Sequence, residues 1–98
     1  MNNETIYKLD WQYDYWGDIE NCVPKGCKGG AVVKSVMPNY AFLTTAEGIT
    51  CFLDKRKVNS PWVVKDLTEE ITPGESLDCT VIDYNYEKKS LTVSLNLN

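Results

Sequence analysis

The chain has 98 residues, and its apolar share of 43% and charged share of 24% are ordinary values for one small globular domain. Ten basic against fourteen acidic side chains give a net charge of −4, which argues against a nucleic-acid binder that works through general charge attraction. Histidine is absent, which excludes imidazole bases, histidine-based catalytic triads and histidine metal ligands. No apolar run is long enough to span a bilayer and no signal pattern precedes the domain, so we expect a cytoplasmic protein without membrane contact.

The four cysteines permit three interpretations. Cys22 and Cys27 form a close pair, whereas Cys51 and Cys79 stand alone inside strand-like segments, where a thiol behaves as a small buried hydrophobe. The spacing is loose for a zinc site, and a cytoplasmic protein keeps its thiols reduced. We therefore favour buried structural thiols over a metal site or disulfides, and expect no metal and no cofactor.

The first part of the chain is aromatic and acidic and ends near residue 28. Apolar and polar residues alternate over 7–15, which favours a half-buried strand, although Ile6, Leu9 and Tyr13 also share one face of a helix. A turn is predicted at 16–18, and the Gly- and Pro-containing segment 21–30 is typical of a loop. The aromatic residues of this extension are Tyr7, Trp11, Tyr13, Tyr15 and Trp16.

The rest of the chain is a series of short alternating segments separated by turn signals. The segment 54–60 carries the basic run Lys55-Arg56-Lys57, and 62–71 is predicted to be loop with a short helix. Five strands in this arrangement favour a closed or partly closed antiparallel barrel, which leaves few unpaired edges. The predicted strands are 31–37, 40–45, 49–53, 77–84 and 91–97.

Residues 28–96 resemble the S-one RNA-binding domain, the repeated module of the largest small-subunit ribosomal protein, which also occurs in polynucleotide phosphorylase. The resemblance implies an all-β fold, a five-stranded antiparallel OB-fold barrel over 29–98. The aromatic residues of the extension 1–28 predict that it covers one end of the barrel as an extra strand or a plug. Order and spacing carry the likeness more than any single motif. The matching segments are 30–36, 40–43, 48–53, 71–77, 81–85 and 88–95.

The resemblance also assigns candidate RNA contacts. The outward aromatic of the second strand falls on Phe42, and Tyr40 stands near a second aromatic position that Asn39 occupies here. Asp54 replaces a residue that is often histidine, which is a poor exchange for phosphate binding because a carboxylate repels phosphate. Asn85 falls where the family has an aspartate before the last turn. Lys88 and Lys89 match the basic residue after that turn.

Three further candidates follow from the physics of single-strand binding, in which bases stack on exposed rings and cations follow the phosphates. Phe52 offers a ring, although its apolar surroundings are equally typical of a core residue. Lys55 and Arg56 offer charge, although a basic run is often an ordinary solvated turn. The complete candidate set is Tyr40, Phe42, Phe52, Asp54, Lys55, Arg56, Asn85, Lys88 and Lys89.

Two functions follow as alternatives. The first is a stand-alone module that binds single-stranded RNA weakly, with the ribosome or a messenger RNA as its setting. The second is an acidic adaptor of the same fold that docks on a ribosomal or other protein, which the net charge and Asp54 favour. An enzyme is not expected. Asp54 could pair with Asp83 or Asp78 as acid and base, but their spacing in the sequence does not indicate such a pair, and the sequence has no phosphate-binding glycine loop.

Overall fold

Five β-strands form the framework of the part of the chain that the structure describes. A computed structural model describes residues 15–97, and each of the five predicted strands is present there. This confirms the all-β class. The strands are β1 (Lys28–Val36), β2 (Tyr40–Thr45), β3 (Thr50–Asn59), β4 (Ser76–Asn85) and β5 (Ser90–Asn96).

The strands close into a barrel in the order β1-β2-β3-β5-β4, and β4 pairs back with β1. The prediction of a purely antiparallel barrel is wrong for one pair, because β3 and β5 run parallel. The reason is topological: an odd number of strands in a closed ring cannot alternate in direction all the way round. The order and the single parallel pair are those of the five-stranded OB-fold.

Strand β3 is longer than predicted. The sequence predicted that it ends at Leu53 and that a basic segment follows, whereas the strand continues through that segment to Asn59. Pairing with β5 is interrupted after Leu53 and resumes where Val58 lies opposite Leu95. This second stretch of pairing with β5 keeps residues 55–57 extended, although their composition is that of a solvated turn.

Side chains alternate between the barrel interior and its outer surface, as the two-residue period of a strand requires. A bulge between Val81 and Asp83 shifts this phase in β4, so that Tyr84 lies opposite the buried Leu91 and packs against the core. The interior is built from small and medium apolar residues of all five strands. These are Ala31, Val33, Ala41, Leu43, Cys51, Leu53, Cys79, Val81, Leu91, Val93 and Leu95.

The long connection between β3 and β4 covers one end of the barrel. It contains the 3-10 helix Leu67–Glu69, which matches the short helix predicted within 62–71. Leu67 and Ile71 are buried, and the Leu67 amide donates to the Pro38 carbonyl at 3.0 Å. The turn after β1 is thereby tied to this connection. Among residues 15–97, no helix has the length and hydropathy needed to cross a bilayer.

A short helical segment precedes β1, where the sequence predicted a turn and a loop. It consists of a 3-10 turn, Tyr15–Asp18, followed by one α-helical turn, Ile19–Cys22, and we call the two together the N-terminal helical segment. Ile19 is only 1% exposed and belongs to the barrel core. The Tyr84 hydroxyl donates to the Val23 carbonyl at 2.7 Å and fixes the chain directly after the segment.

Part of the predicted 1–28 extension is therefore integral to the barrel. Residues 1–14, which hold most of the predicted strand 7–15 and of the predicted extra strand or plug, lie outside the described residues.

The cysteines fall into two classes. Cys51 and Cys79 are buried, as predicted, and burial raises the pKa of Cys51 to about 12 and that of Cys79 to about 11. The neighbouring Cys79 also raises the pKa of Cys51, and Asp78 also raises the pKa of Cys79, each to a smaller extent than burial does. Cys22 and Cys27 are exposed, so the prediction of buried thiols is wrong for them. Both lie in the segment before β1, outside the strands whose alternation buries side chains.

We expect Ile19→Ala to lower the free energy of unfolding by about 2–5 kcal/mol, because it removes most of a side chain that is buried in the barrel core and leaves a cavity there. Urea denaturation followed by circular dichroism measures this. Val63→Ala is the matched control, since Val63 is 78% exposed and its truncation should cost about 0.5 kcal/mol or less. Equal effects of the two changes would show that the N-terminal helical segment does not close the barrel.

A thiol-specific disulfide reagent at neutral pH should modify Cys22 and Cys27 rapidly in the folded protein. Cys51 and Cys79 should react only after unfolding, because they are buried and their raised pKa values leave almost no thiolate. A variant with Cys22→Ser and Cys27→Ser should show no rapid phase. A rapid phase that persists in this variant would contradict the burial of the two strand cysteines.

Candidate nucleic-acid interface

Three aromatic rings meet on the outer surface of β2 and β3. Ala41, Leu43, Cys51 and Leu53 face the core, so the alternation turns the residues between them outward. Phe42 lies directly opposite Phe52 in the β2–β3 ladder, and Tyr40, two residues before Phe42, lies on the same face of β2. The ring centroids are 5.6 Å apart for Tyr40 and Phe42, 5.6 Å for Phe42 and Phe52, and 5.8 Å for Tyr40 and Phe52. We call Tyr40, Phe42 and Phe52 the aromatic cluster.

The aromatic cluster is packed but not covered. Tyr40 is 37% and Phe42 38% exposed, and Phe52 is half-buried between its neighbours. Each ring pair contributes about 0.5–1.5 kcal/mol beyond the burial of its area, which holds the rings in place. Large apolar rings left this exposed on the surface of a barrel retain area that a planar partner can remove from water.

An ion pair borders the cluster. Asp54 lies opposite Tyr40 in the ladder, and its carboxylate accepts two hydrogen bonds from the Arg56 side chain, from Nε at 3.1 Å and from Nη2 at 3.0 Å. The Arg56 amide donates to the same carboxylate at 2.8 Å. These side-chain and backbone hydrogen bonds from Arg56 lower the pKa of Asp54 to about 2, and the carboxylate in turn raises the pKa of Arg56.

Lys55 is directed away from this pair. Adjacent residues of a strand point to opposite sides, and the Lys55 ammonium donates to the Lys65 carbonyl at 3.1 Å in the β3–β4 connection. The Lys55 amide also donates to the Asn39 carbonyl at 2.9 Å. Lys55 therefore ties the connection to the barrel and does not join the aromatic cluster.

The three remaining candidates lie at the other end of β3. Asn85 pairs with Ser90, which in turn lies beside Thr50, the first residue of β3. Its side-chain oxygen accepts from the Lys88 amide at 3.0 Å and so shapes the β4–β5 turn. Lys88 and Lys89 are exposed in that turn. The strand rise of about 3.3 Å per residue places the turn roughly 13 Å along β3 from Asp54.

Two further charged residues border the same face. Asp83 lies opposite Thr92, which lies opposite Phe52, and its carboxylate is 3.8 Å from the Lys25 ammonium. Lys34 is exposed at the bulge of β1, next to Ser35, the partner of Phe42. The sequence analysis missed the position of Asp83 on this face and the pairing of Asp54 with Arg56. Residues two apart on a strand point to the same side, so the spacing of Asp54 and Arg56 could have predicted their contact. It did not, because β3 was predicted to end at Leu53.

A cavity of about 830 Å³ lies elsewhere, at the barrel end that carries the β2–β3 turn. Its floor is the core itself, including Cys51, Leu91 and Val93, and Cys22 and Cys27 also line it. Among residues 15–97, no three cysteine, aspartate or glutamate side chains are arranged to hold a metal ion. Exposed rings and charged groups come together at the aromatic cluster, which is therefore the candidate site.

Known structures share this fold. A chain of the a/eIF2alpha–aDim2p–rRNA complex from Pyrococcus horikoshii superposes on 74% of the protein with a TM-score of 0.66 and 24% identity, using 44% of its own length. GSP13 from Bacillus subtilis gives 0.64 and 21% over 72% of the protein and 54% of its own length. A Streptococcus pneumoniae multidomain protein with nucleic acid binding domains gives 0.55 and 17%, over 85% of the protein and 28% of its own length.

The protein thus spans about half the length of the first two chains. No protein-family model and no curated protein matches the sequence. At these identities the likeness concerns the fold, and together with the strand order it confirms the OB-fold that the sequence resemblance implied.

The Asp54–Arg56 pair predicts an acid-sensitive contribution to stability. The folded pKa of Asp54, about 2, lies below the value of about 3.9 for an unperturbed aspartate, so the carboxylate stabilises the fold above about pH 4. This contribution is lost as the pH falls from about 4 to about 2. We expect the stability difference between the native chain and Asp54→Asn to shrink over that window in urea denaturation. A constant difference would show that Arg56 does not hold the carboxylate.

Proposed function

We propose that the protein binds single-stranded RNA weakly through the aromatic cluster. The observation that carries the proposal is the convergence of Tyr40, Phe42 and Phe52 on the outer face of β2 and β3, with centroids 5.6–5.8 Å apart. In the OB-fold this face is the one that binds oligonucleotides.

Stacking is the chemistry this surface offers. Unpaired bases present flat faces that stack on aromatic side chains, with about 1–3 kcal/mol per base, and the interaction tolerates any base because each has a π-face. The rings of Tyr40 and Phe52 are stacked at 30° to one another, whereas Phe42 is inclined at 77° to Tyr40 and at 58° to Phe52. The cluster therefore offers more than one ring orientation to successive bases of a flexible strand.

Weak affinity follows from the charges around the cluster. The net charge is −4, and Arg56 is paired with Asp54. On the same face, Thr92 of β5 lies between Phe52 of β3 and a further carboxylate, that of Asp83 of β4. Each phosphate that a protein neutralises adds to nucleic-acid affinity, and two cations at this face, Arg56 and Lys25, already lie beside carboxylates, whereas Lys34 is exposed. Stacking then supplies most of the binding free energy.

The similar structures support nucleic acid as the class of partner. One comes from a complex that contains rRNA, and another is a protein with nucleic acid binding domains. These descriptions apply to those proteins. RNA in preference to DNA is part of the proposal and follows from the sequence resemblance, as does the setting on a ribosome or a messenger RNA.

We expect Phe42→Ala to weaken binding of a labelled single-stranded RNA of about 12 nucleotides by about fivefold or more, because one stacking surface is lost. Fluorescence anisotropy at about 50 mM salt measures this. Phe42→Leu keeps apolar bulk without a π-face, so it separates the loss of stacking from a loss of packing. Trp62→Ala is the matched control: Trp62 is an aromatic residue, 44% exposed, outside the cluster.

Equal weakening by Phe42→Ala and Trp62→Ala would contradict the assignment of the cluster as the binding surface. Tighter binding of the same sequence as DNA would contradict RNA as the partner. If the native chain binds neither strand at about 50 mM salt, the acidic protein-adaptor function is favoured instead.

A further inference from the structure

The Asp54 carboxylate occupies the hydrogen-bonding fork of Arg56. Nε and Nη2 of the guanidinium donate to the two carboxylate oxygens, Oδ1 at 3.1 Å and Oδ2 at 3.0 Å, in a parallel arrangement. The Arg56 side chain is 83% exposed, whereas that of Asp54 is 24% exposed. The guanidinium therefore folds back over the carboxylate at the border of the aromatic cluster, opposite Tyr40.

This is the geometry in which arginine binds phosphate. Carboxylate and phosphate oxygens accept the same two parallel hydrogen bonds from the fork, so only one of them can occupy it at a time. The remaining N–H groups of Arg56 still face solvent, but they belong to a pair without net charge. A strand lying across the aromatic cluster meets a neutral pair at this border.

The pair holds no distant parts of the fold together. Asp54 and Arg56 are two residues apart on one strand, and exposed ion pairs of this kind contribute only about 0–1 kcal/mol to stability. The carboxylate therefore contributes only modestly to stability, whereas its contact with Arg56 beside the exposed rings has a direct consequence for an anionic ligand.

We propose that Asp54 is an intramolecular competitor for phosphate, which keeps Arg56 out of contact with the RNA backbone and leaves recognition to base stacking. The inference rests on the proposed function and specifies how that site is tuned. The native chain then discriminates between single strands and duplexes by the accessibility of base faces, because the guanidinium that borders the aromatic cluster is already engaged by a carboxylate.

The test is Asp54→Asn. Asparagine has nearly the same volume and its side-chain oxygen still accepts from the Arg56 amide, but it offers one acceptor oxygen and no charge to the fork. With the same labelled RNA, we expect affinity at about 50 mM salt to rise about threefold or more. The slope of log affinity against log salt should steepen by about 0.7, the value for one further phosphate contact on a single strand.

Arg56→Gln shows whether the gain passes through Arg56. In the Asp54→Asn background it should remove the gain in affinity and the added salt dependence, and its fold-loss there should exceed that in the native background. Asp83→Asn is the matched control, since it removes one carboxylate from the same face without releasing Arg56. Any gain from Asp83→Asn should survive Arg56→Gln.

Two results would overturn the inference. One is that Asp54→Asn does not raise the RNA affinity. The other is that it raises the affinity only as much as Asp83→Asn does and that this increase remains when Arg56→Gln is added. In the second case Asp54 acts only as a general negative charge. Failure of the proposed function is separate, since it appears as native-chain binding that does not depend on Phe42.

Should the native chain bind no RNA, inorganic phosphate still decides the inference. Nuclear magnetic resonance follows the Arg56 Nε–H signal during phosphate titration. It should shift in Asp54→Asn and stay unchanged in the native chain. A shift of equal size in both would show that the carboxylate does not exclude phosphate from the fork.

Discussion

The register between β2 and β3 is the constraint on which the site depends. Leu43 lies opposite Cys51 and Ala41 opposite Leu53, and all four side chains are buried. A slip of one residue would turn these side chains to solvent and bring the rings of the aromatic cluster into the barrel interior, which is lined by small and medium apolar residues. The apolar core therefore fixes the cluster on the outer surface, although no core residue belongs to the cluster. The inward side chains of β2 and β3 are packed in the core and so keep the rings on the outer surface. This is why a small domain can leave apolar rings exposed without burying them in its interior.

Segments outside the strands pack against both ends of the barrel, and one of them influences the charge at the site. Leu67 of the β3–β4 connection is buried at one end, and Lys55 donates to that connection through the Lys65 carbonyl. The contact draws one cation of the basic run away from the aromatic cluster. At the other end, Ile19 and the bond from Tyr84 to the Val23 carbonyl fix the N-terminal helical segment. The charge at the interface is thus set partly by how the barrel is closed.

Local patterns predicted the strands and the aromatic face, and the features they missed were set by contacts distant in sequence. The alternation around Phe42 is strong, and a tight turn follows β2, so this part of the site was accessible from sequence. The length of β3 was not, because pairing with β5 overrides the composition of residues 55–57, and the Asp54–Arg56 contact was missed with it. The N-terminal helical segment was missed because Gly17 and the Gly- and Pro-containing stretch after it are turn and loop signals, whereas the burial of Ile19 is a contact distant in sequence. The parallel pair, by contrast, follows from counting strands in a closed ring.

The balance of charge and apolar surface distinguishes this OB-fold from a general nucleic-acid binder. A basic groove gains affinity for any phosphate backbone by releasing counterions, and so it binds duplexes and single strands alike. Here Arg56 is neutralised by a carboxylate two residues away, Lys25 lies near Asp83, and the exposed rings remain. A surface of this kind gains little from a phosphate backbone whose bases are stacked inside a helix. It gains most from a strand whose bases are free to leave their neighbours and stack on Tyr40 or Phe42. Under the proposed function, the acidic composition, which first argued against nucleic-acid binding, selects for unpaired bases.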